Sequence, residues 1–398
     1  MHVDLADLEF HSGGALLVKR ALRQAGPAEA VTVRGCSPDL AVHLRAWCRS
    51  EGHDFRWMGD SANGYAQLIK GLAADQRWSG AERAGGADSH ERAAVLDRAP
   101  LRWGLAGRGA LIEAGSPEFH FSIDRKVEVW SDDAVRMYAQ AAASQWDPAK
   151  AVPWDAEFDL PEEVEDAVVQ IMTYLIENET AALVVPSRFV AQIHPHFREV
   201  MQVLAIQAAD EARHIEVFTR RALLKRKELG LSTSGGQASL QTLVEESNFA
   251  IASFLLSVLG EGTFLNLLWF LERVAPDPVT SAVCRLAAQD EARHVAFGMS
   301  HLREHIQSDP SIRETLMNAV RRRHEMLRHT AGLNAEVFDA LVLLAAGSWE
   351  GTDIARGHAA VSALNQEMHL GRKRRLLKLG FEDANAEEMS ALHTRNFM

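Results

Sequence analysis

Hydrophobic and polar positions change their rhythm once along the chain. Over residues 1–72, short apolar runs alternate with stretches of helical spacing. Ala15–Gln24 and Ser37–Glu51 read as helices, and Ala30–Arg34 and Asp54–Met58 as strands, the pattern of a small α/β two-layer sandwich. Residues 73–118 are rich in Ala, Gly, Ser and Arg with little periodicity (AERAGGADSHERAA), which predicts a linker. The remaining stretch, 119–398, is almost wholly helical in pattern from Asp132 onward, so a mostly α domain is expected there. Asp159-Leu-Pro-Glu162 has capping-box spacing, and Pro195 and Pro278 sit where first-turn prolines belong.

Phe249 to Leu271 (FAIASFLLSVLGEGTFLNLLWFL) has the length of a membrane-spanning helix, but Glu261 lies near its middle. A carboxylate at mid-bilayer is costly. The segment is therefore expected to be a buried helix of a soluble bundle that holds a carboxylate inside for a reason, with no membrane partner.

Composition narrows the function classes. With 42 Lys and Arg against 54 Asp and Glu, the formal charge is −12, the opposite of a general nucleic-acid binder. Hydrophobic residues make up 47% and charged residues 24%, as in a soluble globular protein. Cys36, Cys48 and Cys284 are scattered and odd in number, so they form no disulfide framework and no CxxC zinc pair. The first residues show neither a cationic n-region nor an apolar h-region, and a reducing, cytoplasmic compartment is expected. No phosphate-binding loop, Walker motif or GxSxG elbow occurs.

An internal repeat carries the chemistry. Asp-Glu-Ala-Arg-His stands at 210–214 and again at 290–294, each downstream of an apolar helix with a central glutamate, Glu179 and Glu261. The offsets agree: 261 − 179 is 82 and 291 − 211 is 80. Glu177 is a weaker candidate than Glu179, because it falls on another helix face. Glu211 and His214, like Glu291 and His294, are three apart and share a face. Pro195 and Pro276 fall midway between the glutamates of each half, so each half turns back about 15 residues, or ~20 Å, from both. Two such hairpins bring four carboxylates and two imidazoles into one layer of a four-helix core, the ligand set of a carboxylate-bridged di-metal site. Four buried carboxylates need cations, and two divalent metals leave the layer near neutral. Oxygen and nitrogen ligands suit iron or manganese. Asp210 and Asp290 are placed to accept the second N–H of a ligand histidine across the bundle, with Arg213 and Arg293 pairing to them.

Over roughly residues 130–300, specifically at the doubled DEARH, the chain resembles the ferritin-like di-iron carboxylate superfamily, which includes R2-like oxidases, fatty-acyl desaturases, multicomponent monooxygenases and arylamine N-oxygenases. The resemblance implies Glu179, Glu211, His214, Glu261, Glu291 and His294 as metal ligands. It implies two iron ions, or one manganese and one iron, O2 and a small organic molecule as reactants, an external electron donor and a homodimer. The radical tyrosine of the reductase subunits would fall on Phe218, which disfavours that role, and Tyr174 is expected in the core.

Residues 2–72 (LLVKRALRQAGPAEAVTVRGCSPDLAVHLRAWCRSEGH with Tyr65-Ala-Gln-Leu-Ile-Lys70-Gly71) resemble the TusA/SirA-like sulfur-carrier domain. The catalytic Cys-Pro-x-Pro of that family falls on His11-Ser12-Gly13-Gly14, so sulfur transfer is not expected and a docking or dimerisation role is. Cys48 is expected to be buried and Cys36 to be the exposed thiol.

His194 and His196 flank the first turn, far from the metal layer. The basic runs Arg321-Arg-Arg323 and Arg372-Lys-Arg-Arg375 are read as solvated faces, with an anionic partner or substrate as the second reading. The function expected is a non-haem di-iron oxidase or oxygenase acting by N-oxygenation, hydroxylation or desaturation. The alternatives are a ferroxidase or iron-handling protein, or a metalloprotein docked through its N-terminal domain.

Overall fold

The structure is a computed structural model and describes residues 1–26, 28–60, 64–71, 78–85, 95–328 and 335–394. The chain divides into two compact units, Met1–Ala94 with Ala106–Glu118, and Val95–Leu105 with Phe119–Met398.

The first unit contains β1 (His2–Asp4), α1 (Gly14–Gln24), β2 (Ala30–Arg34), α2 (Leu40–Glu51), β3 (Asp54–Met58) and β4 (Tyr65–Ile69). The strands lie in the order β1-β2-β4-β3, with β1 parallel to β2 and the other pairs antiparallel. Alternation directs Val31, Val33, Ala66 and Leu68 into the same core as Val18 and Leu22 of α1 and Leu44 and Cys48 of α2. One face of the sheet is thus covered by two helices, the two-layer arrangement read from the hydrophobic pattern. Cys48 is fully buried, which pushes its thiol up to about 12, and Cys36 is exposed. Within the stretch expected as a linker, β5 (Glu82–Arg83) pairs antiparallel with β6 (Leu111–Ile112), while Val95–Leu105 belongs to the helical unit.

The second unit is built from helices: α3 (Ala134–Ala143), α4 (Glu162–Val190), α5 (Arg198–Ala222), α6 (Ser234–Val244), α7 (Phe249–Val274), α8 (Pro278–Ser308), α9 (Ile312–Leu327), α10 (Ala335–Ala346), α11 (Gly351–Lys378) and α12 (Asp383–Thr394). The fold is a ferritin-like helical bundle with additional helices. Helices α4 and α5 form one hairpin, α7 and α8 the other, and α5 packs beside α8. The turns fall where the prolines predicted. Pro195–Phe197 is a 3-10 turn leading into α5, and Pro276 precedes Asp277, whose side chain caps α8 by accepting from Thr280 N at 2.8 Å. The expected capping box at Asp159–Glu162 does not form. Pro161 occupies the cap position without a side-chain bond, and Glu162, Glu163 and Glu165 supply the negative charge at that end.

Helix α7 is buried along almost its whole length, as a core helix. Over Phe254–Glu261 it is wound as a π-helix, an overwide turn that ends on the candidate glutamate. Gly298 lets α8 approach this turn, since a Cβ there would come within 2.6 Å of Ser257 Cβ.

The basic runs differ from the expectation of solvated faces. Arg321, Arg322 and Arg374 are exposed, but Arg323 and Arg372 are buried and Arg375 is half-buried. The cause is helical phase. Arg372 follows the inward positions Val361, Leu364 and Met368 of α11, and Arg323 follows Leu316 and Val320 of α9.

Candidate metal centre

The π turn of α7 and the regular turns of α4, α5 and α8 deliver their carboxylates to one level of the bundle. Glu179, Glu211, His214, Glu261, Glu291 and His294 are each at most 4% exposed. They form two overlapping groups. Glu179, Glu211, His214 and Glu291 make one, and Glu211, Glu261, Glu291 and His294 the other, with the ligand atoms of each within 4.8 Å of one another. Glu211 and Glu291 belong to both and are therefore placed to bridge, while Glu179 with His214 and Glu261 with His294 stand at the two ends. Glu177 is half-buried and outside both groups.

The two ring nitrogens of each histidine have different tasks. His214 Nδ1 lies 3.0 Å from Glu211 Oε2, 3.5 Å from Glu291 Oε1 and 3.6 Å from Glu179 Oε2. Its Nε2 lies 3.1 Å from Asp290 Oδ2. His294 mirrors this, with Nδ1 3.0 Å from Glu211 Oε1 and 3.4 Å from Glu291 Oε2, and Nε2 3.3 Å from Asp210 Oδ2. Each DEARH aspartate thus serves the histidine of the other copy. Arg213 Nη2 donates to Asp290 Oδ2 at 2.7 Å and also to Asp210, and Arg293 Nη2 donates to both aspartates.

Three further residues belong to this network and had little signal in the sequence. Gln207 Nε2 donates to Glu261 Oε1 at 2.9 Å, and its place one turn before Glu211 on the same face was the only clue. Gln145 Nε2 donates to Asp210 Oδ1 at 2.8 Å and Trp146 Nε1 to Asp290 Oδ2 at 2.8 Å. Both stand in the connection after α3, where no periodicity marks a buried side chain.

The donor set fits two metal ions on its own evidence. Glu179 Oε1 and Glu261 Oε2 are sealed from solvent without a hydrogen-bond partner, and both belong to the candidate ligands. Such a convergence of orphaned acceptors is costly unless cations meet it. Protons meet it in part. Burial, with Glu211 and Glu291 adding, pushes Glu179 well above the usual carboxyl range, and burial with Glu291 does the same to Glu261. Burial alone would lower both histidines, but the surrounding carboxylates win and hold His214 and His294 well above their ordinary value. Burial would raise Glu211, yet the two histidines draw it below the usual range. Protons occupying this cluster are the ones two divalent ions would displace.

Beside the layer lies a cavity of about 20 Å3, lined by Glu179, Glu261 and Glu291 on one side and by Ala182, Leu240, Leu243, Leu256 and Phe264 on the other. Tyr174 is buried and stacks on Phe264 with ring centroids 5.8 Å apart. Phe218 is buried with its ring 6.3 Å from that of His214. His194 and His196 are placed elsewhere, with His196 Nε2 accepting from Leu96 N.

No family model and no curated protein matches the chain. Among solved structures, it is similar to R2-like ligand-binding oxidases. One variant with an aerobically reconstituted Mn/Fe cofactor is 16% identical, covers 63% of this chain and 94% of its own, and superposes with a TM-score of 0.46. A second variant, with a reconstituted Fe/Fe cofactor, gives the same four values. The R2-like ligand-binding oxidase from Sulfolobus acidocaldarius is 19% identical, covers 60% of this chain and 90% of its own, and scores 0.40. The assignment of this centre rests on the buried ligand geometry above.

Proposed function

We propose that the protein is a non-haem di-iron or Mn/Fe oxidoreductase that oxidises a small organic substrate with O2. Glu179, Glu211, His214, Glu261, Glu291 and His294 would hold the two ions. When bound, the metal pair supplies the redox chemistry that makes O2 reactive at neutral pH.

This chain's own residues do the rest. Glu211 and Glu291 hold the two ligand groups together. Asp290 and Asp210 accept from Nε2 of His214 and His294, which keeps each Nδ1 free to ligate. Gln207 orients Glu261 by donating to Oε1. The cavity has room for a molecule of the size of O2 against Glu179, Glu261 and Glu291, with Leu240, Leu243, Leu256 and Phe264 closing its other side. N-oxygenation, hydroxylation and desaturation all suit such a site. Reducing equivalents come from an external donor, and the N-terminal unit, with His11 where a sulfur carrier has its cysteine, serves in docking or pairing of chains.

The observation that carries this reading is the sharing of Glu211 and Glu291 by two buried ligand groups beside a small cavity. The test is anaerobic reconstitution with Fe(II), metal analysis and a single exposure to O2. About two metal ions per chain and O2 uptake accelerated by an organic compound are expected. Fewer than one ion per chain, or uptake that yields only ferric mineral, overturns the proposal.

A further inference from the structure

Three voids in the helical unit follow one another along α7, and each shares a bordering side chain with the next. The first is a surface groove of about 1340 Å3, with Trp130, Phe249, Ala250, His305 and Ile312 in its wall. The second is a cavity of about 20 Å3 among all four helices of the bundle. Val185 and Phe189 of α4, Leu204 of α5, Phe249 and Ser253 of α7 and Phe297 of α8 border it. The third is the cavity of the same size beside Glu179, Glu261 and Glu291. Phe249 borders both the groove and the middle cavity, and Leu256 borders both the middle and the end cavity. Phe249 and Glu261 are at most about 18 Å apart along the helix.

The winding of α7 explains why room is left here. Leu256, Ser257, Gly260 and Glu261, which border the small cavities, all lie in the π turn Phe254–Glu261. A π turn holds more residues than an α turn, so its rows of side chains fall out of step with those of the α-helical neighbours. Side chains on this face are also small. Ser253 and Ser257 face Gly298, where a Cβ would come within 2.6 Å of Ser257 Cβ and 3.6 Å of Ser253 Oγ.

Size and polarity decide what fits. Each small cavity has room for one molecule the size of water or O2 and excludes an organic one. A buried water needs two to four polar partners. In the middle cavity Gln207 Nε2 is committed to Glu261 Oε1, and Ser253 Oγ is the one bordering side-chain atom sealed from solvent without a partner. Apart from these residues and Ser257, the wall is hydrocarbon. An apolar diatomic therefore suits the middle cavity better than water does.

The two partitions are single side chains. Phe249 stands edge-on to Phe189, with ring centroids 5.2 Å apart, and 5.0 Å from the ring of His301. A change of rotamer at Phe249 or Leu256 joins neighbouring voids without breaking a backbone hydrogen bond.

We infer that this line is the path by which O2 enters. It passes from the groove past Phe249, rests in the middle cavity and reaches the glutamates past Leu256. The naming of O2 rests on the oxidase reading; a site for an apolar gas molecule in the middle cavity stands without it.

The test uses the full-length protein. Crystals of the metal-free form are pressurised with xenon and solved for the wild type, Ser253→Val and Val185→Leu, two variants that fill the middle cavity from different helices. Xenon is expected in the middle and end cavities of the wild type and absent from the middle cavity of both variants. Both variants are expected to keep two Fe(II) per chain under anaerobic loading, because neither residue borders the end cavity. The loaded variants are then expected to react with O2 about 10-fold more slowly, an added barrier of about 1.4 kcal/mol. Absence of xenon from the wild-type middle cavity, or a water there that xenon does not displace, overturns the inference. So do variants that exclude xenon yet take up O2 at the wild-type rate. If the iron-loaded wild type takes up no O2, the oxidase reading fails, and xenon in the middle cavity of the metal-free protein still supports the gas site.

Discussion

His214 turns its Nε2 to Asp290, 3.1 Å away on the neighbouring helix, and leaves Nδ1 facing three glutamates. The aspartate decides which nitrogen carries the proton, and therefore which one can bind a metal. Asp290→Asn can offer its amide nitrogen to the ring and reverse that choice. The expected result is a 10- to 100-fold loss of metal affinity, the range for such outer partners, with the fold retained. Competitive titration with a chelator, read beside circular dichroism, measures both. Unchanged affinity would remove Asp290 from the working site.

Loss of a shared ligand should be more severe than loss of an outer partner. Glu211→Ala removes one carboxylate from both ligand groups, and His294→Ala removes the end ligand of one group. Metal analysis after reconstitution is expected to find Glu211→Ala essentially empty and His294→Ala reduced to at most one ion per chain. His11→Ala, in the N-terminal unit, is expected to keep the full complement, and a loss there would contradict the assignment of the metal to the helical unit.

At another level of the bundle, Arg221 is held between Glu165 and Asp277, with Thr280 Oγ1 accepting from its Nε at 2.8 Å. Removing the arginine strands two buried carboxylates. Arg221→Met is therefore expected to cost about 3–5 kcal/mol, seen as a lower melting temperature. Glu165→Gln should cost less, because Asp277 still neutralises the guanidinium. Equal effects would show that the two carboxylates are not shared in this way.

His301 is fully buried between the rings of Phe249, Phe297 and His305, and burial, with His305 adding, lowers it to about 3. In the unfolded chain it titrates near about 6.5. Below that value the unfolded state takes up a proton that the folded state refuses, so stability falls as pH drops from about 6.5 toward 3. The contribution is about 1.4 kcal/mol per pH unit. Stability of His301→Leu, measured by denaturant titration between pH 4 and 8, should lack this component of the slope. Parallel curves for variant and wild type would refute it.

Much of the site could be read before any coordinates. The doubled DEARH, the apolar helices around Glu179 and Glu261, and the prolines midway between were enough to place six side chains in one layer, because helix pitch converts equal spacing into equal height. The aspartates and arginines of the motif followed by the same rule. Gln145 and Trp146 did not, since they approach from an irregular connection in which sequence spacing says nothing about distance.

Sequence alone determined the helix faces, the hairpin turns and the need for cations, because each depends on periodicity and on the cost of burying charge. Only tertiary structure decided that Arg323 and Arg372 lie inside, and that Arg221 is neutralised between Glu165 and Asp277. A run of basic residues looks the same in one dimension whether its helix faces water or a neighbour. Which neighbour covers that face, and whether it brings an opposite charge, depends on contacts between segments far apart in the chain.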